Sequence, residues 1–122
     1  MKQTISNLLN PDVDPSISGR IWITSASGTP FFGPGPMELL ERIADTGSIS
    51  KAALEMKMSY RKAWGLINNL NQHTCKPVII PRIGGESGGG SILTEEALNL
   101  ISAYKGLQSR FRAFLELESS NI

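Results

Sequence analysis

The sequence predicts a mainly α chain with a small β component: a helix-turn-helix, a two-stranded hairpin and a long final helix. Three observations predict it. Two short helical segments, each opened by a serine, meet within residues 48–75 across a turn made only of Lys57 and Met58. A glycine-rich stretch at residues 84–90 then separates two short β-branched runs. From Thr94 onward, apolar residues recur at helical spacing over more length than a small core needs.

A chain of 122 residues with 40% hydrophobic content suits one domain with a real core. The expected limits are a flexible arm at residues 1–18, one domain at 19–118 and a tail at 119–122. Pro11 and Pro15 break the arm, which has no sustained period and is expected to order, if at all, against a partner. Residues 19–24, with Ile21 and Ile23 around Trp22, predict a strand covered at least partly on both faces. Residues 27–36 are punctuated by Gly and Pro and predict a loop, with Phe31 and Phe32 packed beneath it and Pro36 at the first helical position.

Met37, Leu39, Leu40, Ile43 and Ala44 then mark one face of a helix that Gly47 should stop. Ser48 or Ser50 can cap a second helix bearing Ala52, Ala53, Leu54 and Met56, the small alanines allowing close crossing. Ser59 can cap a third, starting at Tyr60 and running to His73 or Cys75, because Pro77 forbids continuation. Residues 78–80 and 91–93 predict the hairpin strands. Thr94, followed by Glu95 and Glu96, opens the last helix with an acidic first turn. Its stripe of Ala97, Leu98, Ile101, Tyr104, Leu107, Phe111, Phe114 and Leu115 predicts a coiled dimer contact.

The net charge of +1 says little, but its distribution says more. Residues 56–85 contain Lys57, Arg61, Lys62, Lys76 and Arg82 and no acidic residue. This is the electrostatic footprint of a polyanion site. At about 100° per residue, Tyr60, Ala63, Ile67, Leu70 and Thr74 share one arc of the third helix, with Trp64 and Asn71 at its margin. These are assigned to the core. The opposite arc holds Arg61, Lys62, Gly65, Asn68, Asn69 and Gln72. Arginine forks onto guanine and Asn or Gln onto adenine in a major groove, so Ser59, Arg61, Lys62, Gly65, Asn68 and Asn69 are the expected readers of double-stranded DNA, while Tyr60, at the first turn, can pack its ring inward and reach a phosphate with its hydroxyl. Lys51, Lys57 and Lys76 are expected on phosphates, and Ser50 is expected among the DNA-binding residues. Arg82 with Gly84, Gly85, Ser87, Gly88 and Gly89 is expected on backbone or minor groove.

Other chemistry finds little support. Cys75 is the only cysteine, so no intrachain disulfide forms, and with the lone His73 it makes no metal set. No cofactor, metal or catalytic residue is expected. The glycine stretch lacks the GxxxxGK pattern of a nucleotide loop. No run approaches the roughly 20 apolar residues of a membrane span, so a cytoplasmic location is expected.

The runs TGSISKAA at 46–53 and MSYRKAWGLINNLN at 58–71, followed by GGESGGGSILT at 84–94, resemble the N-terminal DNA-binding domain of the ModE-type molybdate-responsive regulators. The resemblance spans residues 19–115. It implies a winged helix-turn-helix with a two-stranded wing and a long C-terminal dimerisation helix. It also implies a homodimer, formed by that helix and the N-terminal strand, on a palindromic operator. Ser59, Tyr60, Arg61 and Lys62 inherit the recognition positions. The family keeps oxyanion binding in C-terminal domains, so no molybdate site is assigned to this chain, and a separate effector-sensing protein is one expected partner. The alternative from another class is a winged-helix protein-protein interaction module that binds no DNA.

Overall fold

The computed structural model describes residues 4–83 and 90–122. In order they form a 3-10 turn at Ser6–Leu8, strands β1 (Ile23–Thr24) and β2 (Pro30–Phe32), helices α1 (Pro34–Thr46), α2 (Ile49–Glu55) and α3 (Tyr60–Asn71), strands β3 (Ile79–Arg82) and β4 (Gly90–Leu93), and helix α4 (Glu95–Ser119). This is a winged helix-turn-helix. Both sheets are two-stranded and antiparallel, β1 with β2 and β3 with β4.

Local chemistry sets most of the element ends. The Gly47 backbone turns left-handed at φ 70° and its N–H reaches the Ile43 carbonyl at 2.7 Å, closing α1. Ser48, rather than Ser50, caps α2, its hydroxyl accepting from the Lys51 N–H. Ser59 does the same for α3 through the Lys62 N–H. The turn between them is tight because Lys57 adopts φ 56° while the Met58 N–H returns to the Ala53 carbonyl. Thr94 caps α4 and also donates its hydroxyl to the Pro77 carbonyl at 2.7 Å, so the hairpin and the last helix share one joint.

The core is the meeting of the inner faces of α1, α2, α3 and α4 beneath the hairpins. Phe32, Leu39, Leu40, Ile43, Ala52, Ala63, Ile67, Leu70, Val78, Ala97 and Tyr104 are all essentially sealed from solvent. Ala52, Ala53 and Ala63 let α2 and α3 approach closely, since larger side chains there would hold the two backbones apart.

Several expectations change. The first strand is shorter than residues 19–24, and the supposed loop contains its partner, β2. Ser25 and Thr29 close the intervening turn, with Gly28 at φ 86°. Pro30 can begin a strand because the first ladder position tolerates a missing N–H. Residues 19–22 continue without a ladder partner; the Tyr104 hydroxyl donates to the Ile21 carbonyl at 2.8 Å instead. Trp22 remains 49% exposed and lies against Gly33.

Helix α1 begins at Pro34, two residues before Pro36, because the first helical N–H groups have no intrahelical acceptor and both prolines fit there. Helix α3 stops at Asn71, short of His73. Tyr60 is 53% exposed and Thr74 half-buried, so neither belongs to the core, and Leu54 stands in solvent at 77%. Residues 4–18 of the arm are tied to the end of the chain and of α4, with the Ser6 N–H on the Ile122 carbonyl at 2.7 Å and the Ile17 N–H on the Ser119 hydroxyl at 2.8 Å. Among the described residues no helix is long and apolar enough to cross a membrane, and no group of three or more His, Cys, Asp or Glu side chains could hold a metal.

Candidate nucleic-acid interface

Helix α3 presents one buried arc, Ala63, Ile67 and Leu70, which leaves the opposite arc outside. Ser59, Tyr60, Arg61, Lys62, Gly65 and Asn68 are all exposed along it, and Ser50, Lys51 and Lys57 are exposed on α2 and the turn. Tyr60 meets Trp64 edge to face at a centroid distance of 6.2 Å. This pair, with Ser48, Ile49 and Ser50 on one side and Gly90 and Ser91 on the other, lines a shallow cleft between α2, α3 and the wing. Ser48, Trp64 and Ser91 are members of the cleft that the helical arc alone does not pick out. The alternative serine cap at position 48 was the available signal for the first of them.

Charge is segregated around this cleft. Arg42 bridges Glu55 at 3.0 Å and Glu38 at 3.2 Å, and both carboxylates raise the pKa of its guanidinium, Glu55 first. Lys105 pairs with Glu41 at 2.8 Å. Glu38, Glu41 and Glu55 of α1 and α2 thus pair with Arg42 and Lys105 rather than with the cations of α3. Among the described residues, Lys51, Lys57, Arg61 and Lys62 have no carboxylate within 4.0 Å. A surface of this kind attracts phosphates at long range, and its side chains need not break an internal pair to reach them.

Three of the residues expected on DNA also have partners within the fold. Lys76 pairs with Glu96 at 3.4 Å; the Glu96 carboxyl lies below the usual range chiefly through its own backbone N–H at the start of α4, and secondarily through Lys76. Asn69 is half-buried and its amide donates to the Pro30 carbonyl at 3.3 Å, which ties α3 to β2. One turn later the His73 Nδ1–H donates to the Asn69 carbonyl at 2.7 Å, and the imidazole stacks on Phe31 at 4.5 Å. Arg82 turns back onto Gly47 and Gly90. Gly84, Gly85, Ser87, Gly88 and Gly89 lie outside the described residues.

Gly65 is informative by contrast. A Cβ there would meet nothing within 4 Å, so no internal contact of the fold requires glycine at that point. Glycine in a helix interior costs about 1 kcal/mol relative to alanine. The opening lies between Arg61 and Asn68 on the exposed arc.

No protein-family model matches the chain. It is 31% identical over 86 residues to the molybdenum transport protein ModE of Azotobacter vinelandii, which covers 70% of this chain and 32% of that protein. It is 33% identical over 93 residues to the transcriptional regulator ModE of Haemophilus influenzae, 75% of this chain and 36% of the relative. Against the molybdenum-pterin-binding protein MopB of Rhodobacter capsulatus the identity is 39% over 77 residues, 63% of this chain and 28% of the relative. The chain therefore spans about a third of the length of the curated relatives it matches.

Proposed function

Because the chain carries a domain of the ModE N-terminal type, we propose that it is a transcription regulator that binds double-stranded DNA in a sequence-specific manner. The observation that carries this reading is the set Lys51, Lys57, Arg61 and Lys62, exposed around the start of α3 beside a core-anchored helix-turn-helix. Helix α3 enters the major groove by its N-terminal half. Arg61, Lys62 and Asn68 approach base edges, Tyr60 and Ser59 lie at the rim, and Ser50, Lys51 and Lys57 hold phosphates. Gly65 lets the helix backbone approach the groove.

The active form is a homodimer on a palindromic operator. Leu107, Phe114 and Leu117 of α4 remain exposed at 37%, 55% and 62%, and Ile5, Leu8 and Val13 of the arm beside it are also largely exposed. A second copy would bury both sets, and two-fold symmetry would present two α3 helices to half-sites about one turn of DNA apart. The molybdenum-linked names of the relatives make molybdenum metabolism the first physiological context to examine. Effector sensing is assigned to a part or partner outside this domain.

Selection of bound duplexes from a random DNA pool tests the reading. Enrichment of a two-fold symmetric motif is expected, with affinity that falls by orders of magnitude between about 50 and 200 mM salt. The Arg61→Ala protein should lose about 1–3 kcal/mol on the selected duplex and relax preference at one base pair. A pool that yields no motif, with retention of the fold, would transfer the weight to a protein-interaction module.

A further inference from the structure

The wing does not hang freely from the end of α3. The first residue of β4, Gly90, pairs across the ladder with Arg82, the last residue of β3. The next N–H, that of Ser91, donates to the Gly47 carbonyl at 2.9 Å. Gly47 is the left-handed residue that ends α1 and immediately precedes the cap of α2. One backbone hydrogen bond thus joins the wing to the entrance of the helix-turn-helix.

Arg82 covers that joint. A Cβ at Gly90 would lie 3.0 Å from its Nη2, and one at Gly47 would lie 3.5 Å from its Nη1, so the planar guanidinium spans the two glycines. The same Cβ at Gly90 would be only 2.6 Å from the Gly47 carbonyl oxygen. That oxygen belongs to backbone and cannot move without disturbing the α1–α2 junction. Gly90 has ordinary negative φ, so close approach, not chain conformation, is what demands glycine there.

We infer that Arg82 is a positioning residue: its guanidinium clasps Gly90 against Gly47 and so sets the angle between the wing and the recognition helix. This inference rests on the DNA-binding reading for its consequence, since the angle decides whether wing and α3 engage one duplex together. Its structural content stands without DNA. A phosphate contact would use only the positive charge of Arg82, whereas a clasp needs a flat guanidinium lying across both glycines, which lysine cannot supply.

The test compares Arg82→Lys, Arg82→Ala, Gly90→Ala and the Arg82→Ala/Gly90→Ala double variant. Hydrogen exchange of the Ser91 N–H is measured without DNA, and affinity is measured on the duplex selected from the random pool. Each single variant is expected to speed Ser91 exchange by about tenfold, as one local hydrogen bond is released. Each should weaken DNA binding, and the double variant should bind no worse than the weaker single. Thermal melting identifies any variant that has lost the fold, and Arg82→Lys then carries the test as the mildest change. Wild-type exchange at Ser91 in Arg82→Lys would overturn the inference, as would full affinity in that variant or additive losses in the double variant. Should the wild type select no DNA, the function fails while the exchange result still decides whether the clasp exists.

Discussion

The side chain of Asn71, the last residue of α3, accepts a hydrogen bond from the Val78 backbone N–H at 2.9 Å. Val78 is completely buried, so water cannot replace this acceptor. The bond ties the last residue of α3 to the start of the wing. Replacing Asn71 with alanine leaves a buried donor unpaired and should cost about 1–3 kcal/mol in urea unfolding, while Asn71→Asp, which keeps an oxygen there, should lose less. A loss below about 0.5 kcal/mol in the alanine variant would remove this role from Asn71.

Gly65→Ala separates stability from binding. The new methyl group meets nothing within 4 Å beyond its chain neighbours and the backbone of its own helix, and it improves helix propensity, so the melting point should rise, by an amount corresponding to about 0.5–1 kcal/mol. Affinity for the selected duplex should fall, because the same methyl occupies the opening on the α3 arc. Unchanged affinity would show that the opening faces only solvent.

Lys57 offers a similar separation for a different reason. It is the one non-glycine residue at positive φ among the described residues, and a side chain pays roughly 1–2 kcal/mol for that conformation. Lys57→Gly relieves the strain and returns part of the gain as unfolded-state entropy, so stability should rise by under about 1 kcal/mol. The lost cation should flatten the dependence of log affinity on log salt by about one unit. Titration of binding at several salt concentrations reads this directly, and an unaltered slope would take Lys57 off the phosphates.

Tyr104 connects the N-terminal strand segment to α4. Burial raises its phenol above the ordinary value, and the protonated hydroxyl is the form that donates to the Ile21 carbonyl. Because the folded state binds the proton more tightly than the unfolded one, its stabilisation is complete below about pH 10 and declines as pH rises through the raised value. Tyr104→Phe should cost about 1 kcal/mol at neutral pH and should make the alkaline decline shallower. Unfolding curves at neutral and alkaline pH suffice, and identical alkaline slopes in the two proteins would contradict the assignment.

The features most legible in the sequence are those made by near neighbours. Ser59, Thr94 and Gly47 announce helix ends because a cap is a contact between residues three or four apart. The arc of Ala63, Ile67 and Leu70 follows from helical period alone. Strand β2 was hidden because Pro30 and the flanking glycines carry the marks of a loop, and its partner, β1, is too short to show alternation. Asn69 shares the outward arc with Arg61 and Asn68, yet its amide is drawn to Pro30, a residue 39 positions away that no periodicity can bring near.

By itself, then, the sequence determined the order of the helices, the faces they bury and the acid-free segment that carries Arg61 and Lys62. These follow from short-range hydrogen bonds and from apolar spacing, which are written into consecutive residues. Only the tertiary structure decided which polar side chains stay available. It folded Arg82 onto Gly47, gave Asn71 to Val78 and Asn69 to Pro30, and left Gly65 open, because each of those outcomes depends on which backbone arrives opposite the side chain once the core has closed.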